Sequence, residues 1–192
     1  MEIRPTHTPS RELLLLADES EASVADYVSR SRCYAAFEGD TIVGQYLLLH
    51  TRPFTAEIVN IAVMPARQRR GIGTALLHHA IRTARAEGFR LLEIGTGDSG
   101  TGQIALYERC GFVRCGLDRD YFRKHYPAPI FDHAVEFRHL VRPRMELFDA
   151  RPAGCPFENS TPGSPRRASH SSRTPPHPRH HAHCASHPDA AQ

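Results

Sequence analysis

Arg67-Gln68-Arg69-Arg70-Gly71-Ile72-Gly73-Thr74 puts two glycines and three arginines between two apolar stretches. The one before it, Ile58 to Val63, reads as a strand. The one after it, Thr74 to Ala86, has apolar residues at helical spacing. The octapeptide is therefore a strand-to-helix connection placed where a helix starts. A helix start leaves backbone N–H groups unpaired and presents the positive end of the helix dipole. Glycine lets the backbone approach a ligand with no side chain in the way. Such a turn is suited to gripping a phosphate or pyrophosphate. The arginines either add charge at its rim or are simply solvated.

The kind of anion narrows by elimination. A phosphate loop of the NTPase type needs Gly-Lys-Ser/Thr, which this chain lacks. The dinucleotide fingerprint G-x-G-x-x-G is half present, since Leu76 stands where the third glycine belongs. Glu93 follows where a ribose-binding acid could sit, but Pro65 to Arg70 separate strand from glycine, and a Rossmann turn has no such insertion. The segment instead resembles motif A of the GNAT superfamily of N-acetyltransferases, Gln/Arg-x-x-Gly-x-Gly/Ala, matched by Gln68-Arg69-Arg70-Gly71-Ile72-Gly73. Leu106-Tyr107-Glu108-Arg109-Cys110-Gly111-Phe112 resembles the later L-Y-x-x-x-G-F signature of the same family. The resemblance covers Met1 to Leu147.

That resemblance implies an α/β chain of the α+β type with the GNAT fold. It implies a mixed central sheet of about six to seven strands, about four helices, and central parallel strands that splay apart. It implies acetyl-CoA as co-substrate. Gln68, Arg69, Arg70, Gly71, Ile72, Gly73 and Thr74 would hold its pyrophosphate, and the backbone of Ile61, Ala62 and Val63 would run beside its pantetheine arm. One N–H there could polarise the thioester carbonyl. The family often has Asn seven positions before the signature tyrosine; here that position is Gly100, with Asp98, Ser99 and Gln103 as the available substitutes.

Acetyl transfer to a primary amine, by direct attack in a ternary complex, needs a neutral amine and a stabilised leaving thiolate. An amine of ordinary pKa near 10.4 is only about 0.04% neutral at pH 7. A base is required, and Glu57 is the first candidate, Glu93 the second and His50 the third. Each also has a structural reading: a solvated strand end for Glu57, a bond to the Thr96 loop for Glu93, plain surface for His50. Tyr107 is the candidate acid, since a phenol can donate to a thiolate. The alternatives are a non-catalytic acyl-CoA-binding module, or an interaction protein whose tail recruits a partner.

The positioning elements follow from pattern. Glu2-Ile3-Arg4 starts a strand, and Ser10 and Ser20 cap two short helices, which the resemblance places beside the acceptor site. Cys33–Phe37 and Thr41–His50 form a hairpin around Glu38-Gly39-Asp40, with Thr51-Arg52-Pro53 breaking its second strand. Glu57–Val63 is a strand, Thr74–Ala86 a helix stopped by Gly88, and Arg90–Ile94 a strand parallel to Glu57–Val63 by a right-handed crossover. Gly95–Gly102 reads as a loop, Gln103–Cys110 as a helix and Phe112–Cys115 as a strand. Asp118–Pro129 reads as a long loop and Ala134–Val141 as the last strand. Tyr121, Phe122, Arg123, His125, Tyr126 and Phe131 would wall the acceptor site. Arg123 and His125 there would disfavour a very cationic acceptor.

The 192 residues divide at a change of character. Residues 1–148 make the acetyltransferase domain; over residues 1–150 acidic and basic residues balance. Residues 149–192 are rich in Pro, His, Ser and Arg; they cannot bury enough apolar surface to offset chain entropy and read as disordered. His180-His181-x-His183-Cys184 carries metal-binding residue types but reads as low complexity, so no metal is expected. The net charge of +3 belongs to residues 151–192. No stretch suits a membrane span or a signal peptide, and no basic surface with interleaved aromatics suits nucleic acid. The five cysteines lack framework spacing and fit a cytoplasmic setting. The partner is a small-molecule or peptide amine. Oligomeric state stays open, a homodimer included.

Overall fold

In the computed structural model the described residues are 1–132 and 135–148. The predicted tail at 149–192, with its histidine cluster, lies outside them. The unit Met1–Ala150 is compact in itself. It opens with β1 (Glu2–Thr6), α1 (Arg11–Ala17) and α2 (Glu21–Val28). Both helices start on a serine that accepts a backbone N–H of the first turn, Ser10 from Leu13 at 3.5 Å and Ser20 from Ser23 at 3.2 Å. This is the side-chain capping that the two serines promise.

β2 (Arg32–Glu38) and β3 (Thr41–Arg52) form the expected hairpin, with Gly39 in the left-handed region at φ 60°. β3 runs past His50 to Arg52, because the turn to β4 (Thr55–Val63) needs only Pro53 and Phe54. The long apolar run of β3 is buried on both faces. Tyr46 and Leu48 pack with α3 (Ile72–Ala86), while Leu47 and Leu49 pack with Leu14, Val24 and Tyr27 of the first two helices. On α3 the packed stripe is Leu76, Leu77, Ala80, Ile81 and Ala84, as its spacing predicts. Leu76→Ala or Leu77→Ala would each cost about 2–5 kcal/mol.

β5 (Leu91–Ile94) pairs parallel with β4, register Thr55 with Leu91 through Ile58 with Ile94. There the two strands part. β4 continues to Val63 paired only with β3. The chain after Ile94 turns through Gly95 into β6 (Thr96–Gly97), which pairs with β10 (Leu140–Glu146) instead. A bulge accompanies the parting: Leu47 faces Asn60 and Leu48 faces Ile58, so Val59 has no opposite number. The eight-stranded sheet runs β1-β2-β3-β4-β5-β10, with β6 also on β10 and β7 (Val113–Asp118) on the other side of β10. Between β6 and β7 lies α4 (Thr101–Arg109). β8 (Phe131–Asp132) and β9 (Val135–Glu136) pair separately.

Three sequence expectations are corrected. The last strand is not Ala134–Val141 but Leu140–Glu146. The amides of Arg138 and His139 donate to Asp98 Oδ1 at 3.0 and 3.1 Å, which removes them from any ladder. The strand also passes through Pro143, which sits at a register shift against β7 where a missing N–H is tolerated. The loop Asp118–Pro129 contains a short helix, α5 (Tyr121–His125), entered through Asp120 at φ 55°. The loop Gly95–Gly102 contains β6 and the start of α4, because His139 and Leu140 supply partners distant in sequence.

Candidate active site

The glycine turn is built by the end of β4. Met64 donates to Val43 O at 2.9 Å, and Pro65–Arg67 then makes a short 3-10 turn. Gln68 Nε2 donates back to Val63 O at 3.1 Å and fixes the loop against the strand it leaves. Arg69 and Gly71 both take positive φ, 59° and 81°. Gly71 caps α3 with no side chain, and the first helical bond is Ala75 N to Gly71 O at 3.0 Å. The amides of Ile72, Gly73 and Thr74 therefore have no acceptor within the helix. A Cβ on Gly71 would meet nothing within 4 Å, so its backbone conformation is what demands glycine. A Cβ on Gly73 would sit at ordinary contact, 3.7 Å from Leu106 and 3.9 Å from Val63. Arg67 pairs with Glu38 at 2.9 Å; Arg69 and Arg70 are exposed and have no ion pair among the described residues. Beside this turn, Val59 to Val63 present a β4 edge that no strand covers among the described residues. Ala62 is buried, and Ile61 and Val63 pack on the α3 core.

The candidate bases part company. Glu57 and Glu93 are register neighbours on the parallel pair. Glu93 is held by Arg52, whose Nη2 reaches both carboxylate oxygens at 2.7 Å; its predicted bond to the Thr96 loop is absent among the described residues. Glu57 pairs with Arg142 at 3.5 Å, and Arg142 is shared with Asp118. Burial pushes the Glu57 carboxyl above its usual range, Arg142 pulls it back, and the Glu93 charge pushes it further up. His50 is exposed, edge-on to Phe89 at 5.2 Å. Tyr107 is only 5% exposed and lies 6.3 Å from the Phe112 ring. Burial alone drives its phenol far above the ordinary value, with no charge or hydrogen bond acting on it. Among the substitutes for the missing Asn, Asp98 is occupied by the Arg138 and His139 amides. Ser99 Oγ is buried without a partner, and Gln103 is exposed.

The predicted acceptor wall divides. Tyr121 stands near Arg142 and Glu57, its phenol raised by burial, lowered by Arg142 and raised by Glu57. Phe122, Arg123, Tyr126 and Phe131 line a cavity of about 380 Å³ that Glu57 does not reach. Arg123 is tied to Glu136 by two bonds of 3.0 Å, so its charge is neutralised at home. Sequence reasoning missed Asp18, Tyr27, Asn60 and Arg142. Only the polar Asn60 inside an apolar strand offered a signal. It is 3% exposed; its Nδ2 donates to Leu14 O at 3.0 Å and to Tyr27 Oη at 2.9 Å. Among the described residues no group of three or more His, Cys, Asp or Glu could hold a metal ion, and no helix is long and apolar enough to cross a membrane.

Known proteins share this arrangement. Residues 3–112 match the Acetyltransferase (GNAT) family. An uncharacterized N-acetyltransferase of Bacillus subtilis, YvbK, is 45% identical over 136 residues, 71% of this chain and 88% of the relative. An IAA acetyltransferase from Bacillus cereus superposes with TM-score 0.73 at 45% identity, over 76% of this chain and 99% of the other. A GNAT family acetyltransferase from Elizabethkingia anophelis with acetyl-CoA bound gives TM-score 0.73 at 37% identity, over 76% and 97%. The splayed β4 edge and the uncapped glycine turn thus stand in a chain that belongs to the GNAT family of acetyltransferases.

Proposed function

We propose that Gln68 to Thr74 and the open edge of β4 hold acetyl-CoA for transfer of its acetyl group to a primary amine. The chain is an acetyl-CoA-dependent N-acetyltransferase, and its family membership speaks against a non-catalytic acyl-CoA-binding module. The observation that carries the assignment of residues is continuity. The β4 edge loses its neighbour after Ile58 and leads through one turn into the uncapped start of α3. The positive φ of Arg69 and Gly71, and the first α3 amides with no acceptor within the helix, support a pyrophosphate there.

In this reading the amides of Arg69, Arg70, Gly71, Ile72, Gly73 and Thr74 take the pyrophosphate, and Gln68 braces the turn. The backbone of Ile61, Ala62 and Val63 receives the pantetheine arm. Glu57 takes the proton from the amine, directly or through water. Its raised carboxyl suits that task, since a stronger base is a better acceptor at neutral pH. Tyr107 donates a hydrogen bond to the leaving sulfur. A phenol held so far above a thiol's pKa stabilises the thiolate by donation and keeps its own proton. The acceptor, a small molecule or a peptide, enters from the α1–α2 side in a cytoplasmic setting.

Calorimetric titration with acetyl-CoA, followed by thiol release over a panel of amines, tests this directly. Uptake of acetyl-CoA with amine-dependent thiol release is expected. Absence of uptake would sink the residue assignments together.

A further inference from the structure

Asp18 closes α1, and its Oδ1 accepts from Ser20 N at 3.0 Å and Tyr126 Oη at 3.2 Å. The carboxylates at the transfer site have arginine partners: Glu57 and Asp118 share Arg142, and Glu93 has Arg52. Among the described residues no cationic side chain pairs with Asp18. Its charge reaches three phenols: it adds to burial in raising Tyr27, Tyr126 and Tyr121. A half-buried carboxylate ringed by tyrosines and lacking a counter-ion matches an ammonium or guanidinium group.

The site adjoins the transfer centre. Tyr27 Oη accepts from Asn60 Nδ2 at 2.9 Å, and Asn60 lies next to Ile61 on the open β4 edge. Leu14 O accepts from both Asp18 N and Asn60 Nδ2, each at 3.0 Å, so the end of α1 is fastened to β4 at Asn60. Asn60 Oδ1 is buried with no donor among the described residues. Glu57 already faces Arg142, whereas Asp18 has no such partner among the described residues.

We propose that Asp18 is a specificity-determining residue that binds a second cationic group of the acceptor, so that diamines and similar dications are preferred over monoamines. This rests on the placement of transfer at Glu57 and the β4 edge.

The test compares 1,4-diaminobutane with butylamine on the full chain, by calorimetry in the presence of CoA and by thiol release with acetyl-CoA. The diamine should bind at least about tenfold more tightly. Asp18→Asn should abolish the difference through KM, leaving acetyl-CoA affinity as in the parent. Equal binding of the two amines, no binding of the diamine, or an Asp18→Asn chain that keeps the preference would each overturn the proposal. If butylamine is acetylated as well as the diamine, transfer at Glu57 stands and the Asp18 site falls. If the diamine binds through Asp18 and no thiol is released, the Asp18 site stands and the transfer reading falls. Should Asp18→Asn fail to fold, salt decides on the parent: the diamine's advantage must shrink as ionic strength rises, and a constant advantage refutes the ion pair.

Discussion

The two halves of the cleft are built by different means. The coenzyme side is one continuous stretch, β4, turn and α3, and it offers mainly backbone. Its bracing bond, Gln68 to Val63, spans five residues. The acceptor side is assembled from side chains brought together from across the chain. Tyr126 reaches Asp18 over 108 residues, Asn60 reaches Tyr27 over 33, and Arg142 joins Glu57 from β10. A backbone cradle depends on local conformation and tolerates many side chains. A side-chain wall depends on each residue named, and it can change acceptor without disturbing the coenzyme. Substitutions on the two sides should therefore separate coenzyme affinity from acceptor chemistry.

The sharpest separation is expected at Glu57, where the two sides meet. Glu57→Gln should lower kcat/KM by about 10²–10⁴ while leaving acetyl-CoA affinity unchanged by calorimetry. The base must be ionised to act, so parental turnover should rise with pH through an inflection above the ordinary carboxyl value of 4.5. Arg142→Met removes the charge that pulls this carboxyl down and should move the inflection higher still. A fixed inflection would remove Glu57 from the mechanism. Tyr107→Phe comes next, with kcat lowered about 10- to 100-fold and coenzyme affinity retained. A Phe variant as fast as the parent across pH would show Tyr107 to be packing alone.

The same division explains what could be read without a structure. β4, the turn, α3 and the β2–β3 hairpin were legible because propensity, period and glycine placement act within a few residues. The serine caps of α1 and α2 were legible for the same reason. β10 was placed early because the alternation of Ala134–Val141 is a local pattern, and the bonds of Asp98 to Arg138 and His139 override it over about 40 residues. Pro143 hid the true strand, since only the bulge against β7 makes it tolerable. Asp18 gave no signal at all. An aspartate at a helix end reads as a turn residue until Tyr27 and Tyr126 are seen around it.

On the coenzyme side the two glycines should respond with opposite sign. Gly71→Ala forces a side chain into φ 81° and should cost about 1–2 kcal/mol, read as a lower melting temperature with weaker acetyl-CoA binding. Gly73 lies within α3 with room for a methyl group. Gly73→Ala should gain about 0.5–1 kcal/mol with coenzyme affinity kept. If Gly71→Ala binds acetyl-CoA as the parent does, the left-handed turn is not what shapes the cradle.

The smallest effect should come from Tyr126→Phe, which removes one hydrogen bond from Asp18 and leaves the ring in place. One such bond is worth about 0.5–1.5 kcal/mol, so the acceptor KM should rise roughly threefold to tenfold, with kcat and acetyl-CoA affinity unmoved. The informative comparison is the double variant. If Tyr126 acts only by orienting the Asp18 carboxylate, Tyr126→Phe should change nothing further in an Asp18→Asn background, and the two effects will not add. Additive losses would mean that Tyr126 touches the acceptor itself. In that case the aromatic wall, rather than the carboxylate it surrounds, selects what enters from the α1–α2 side.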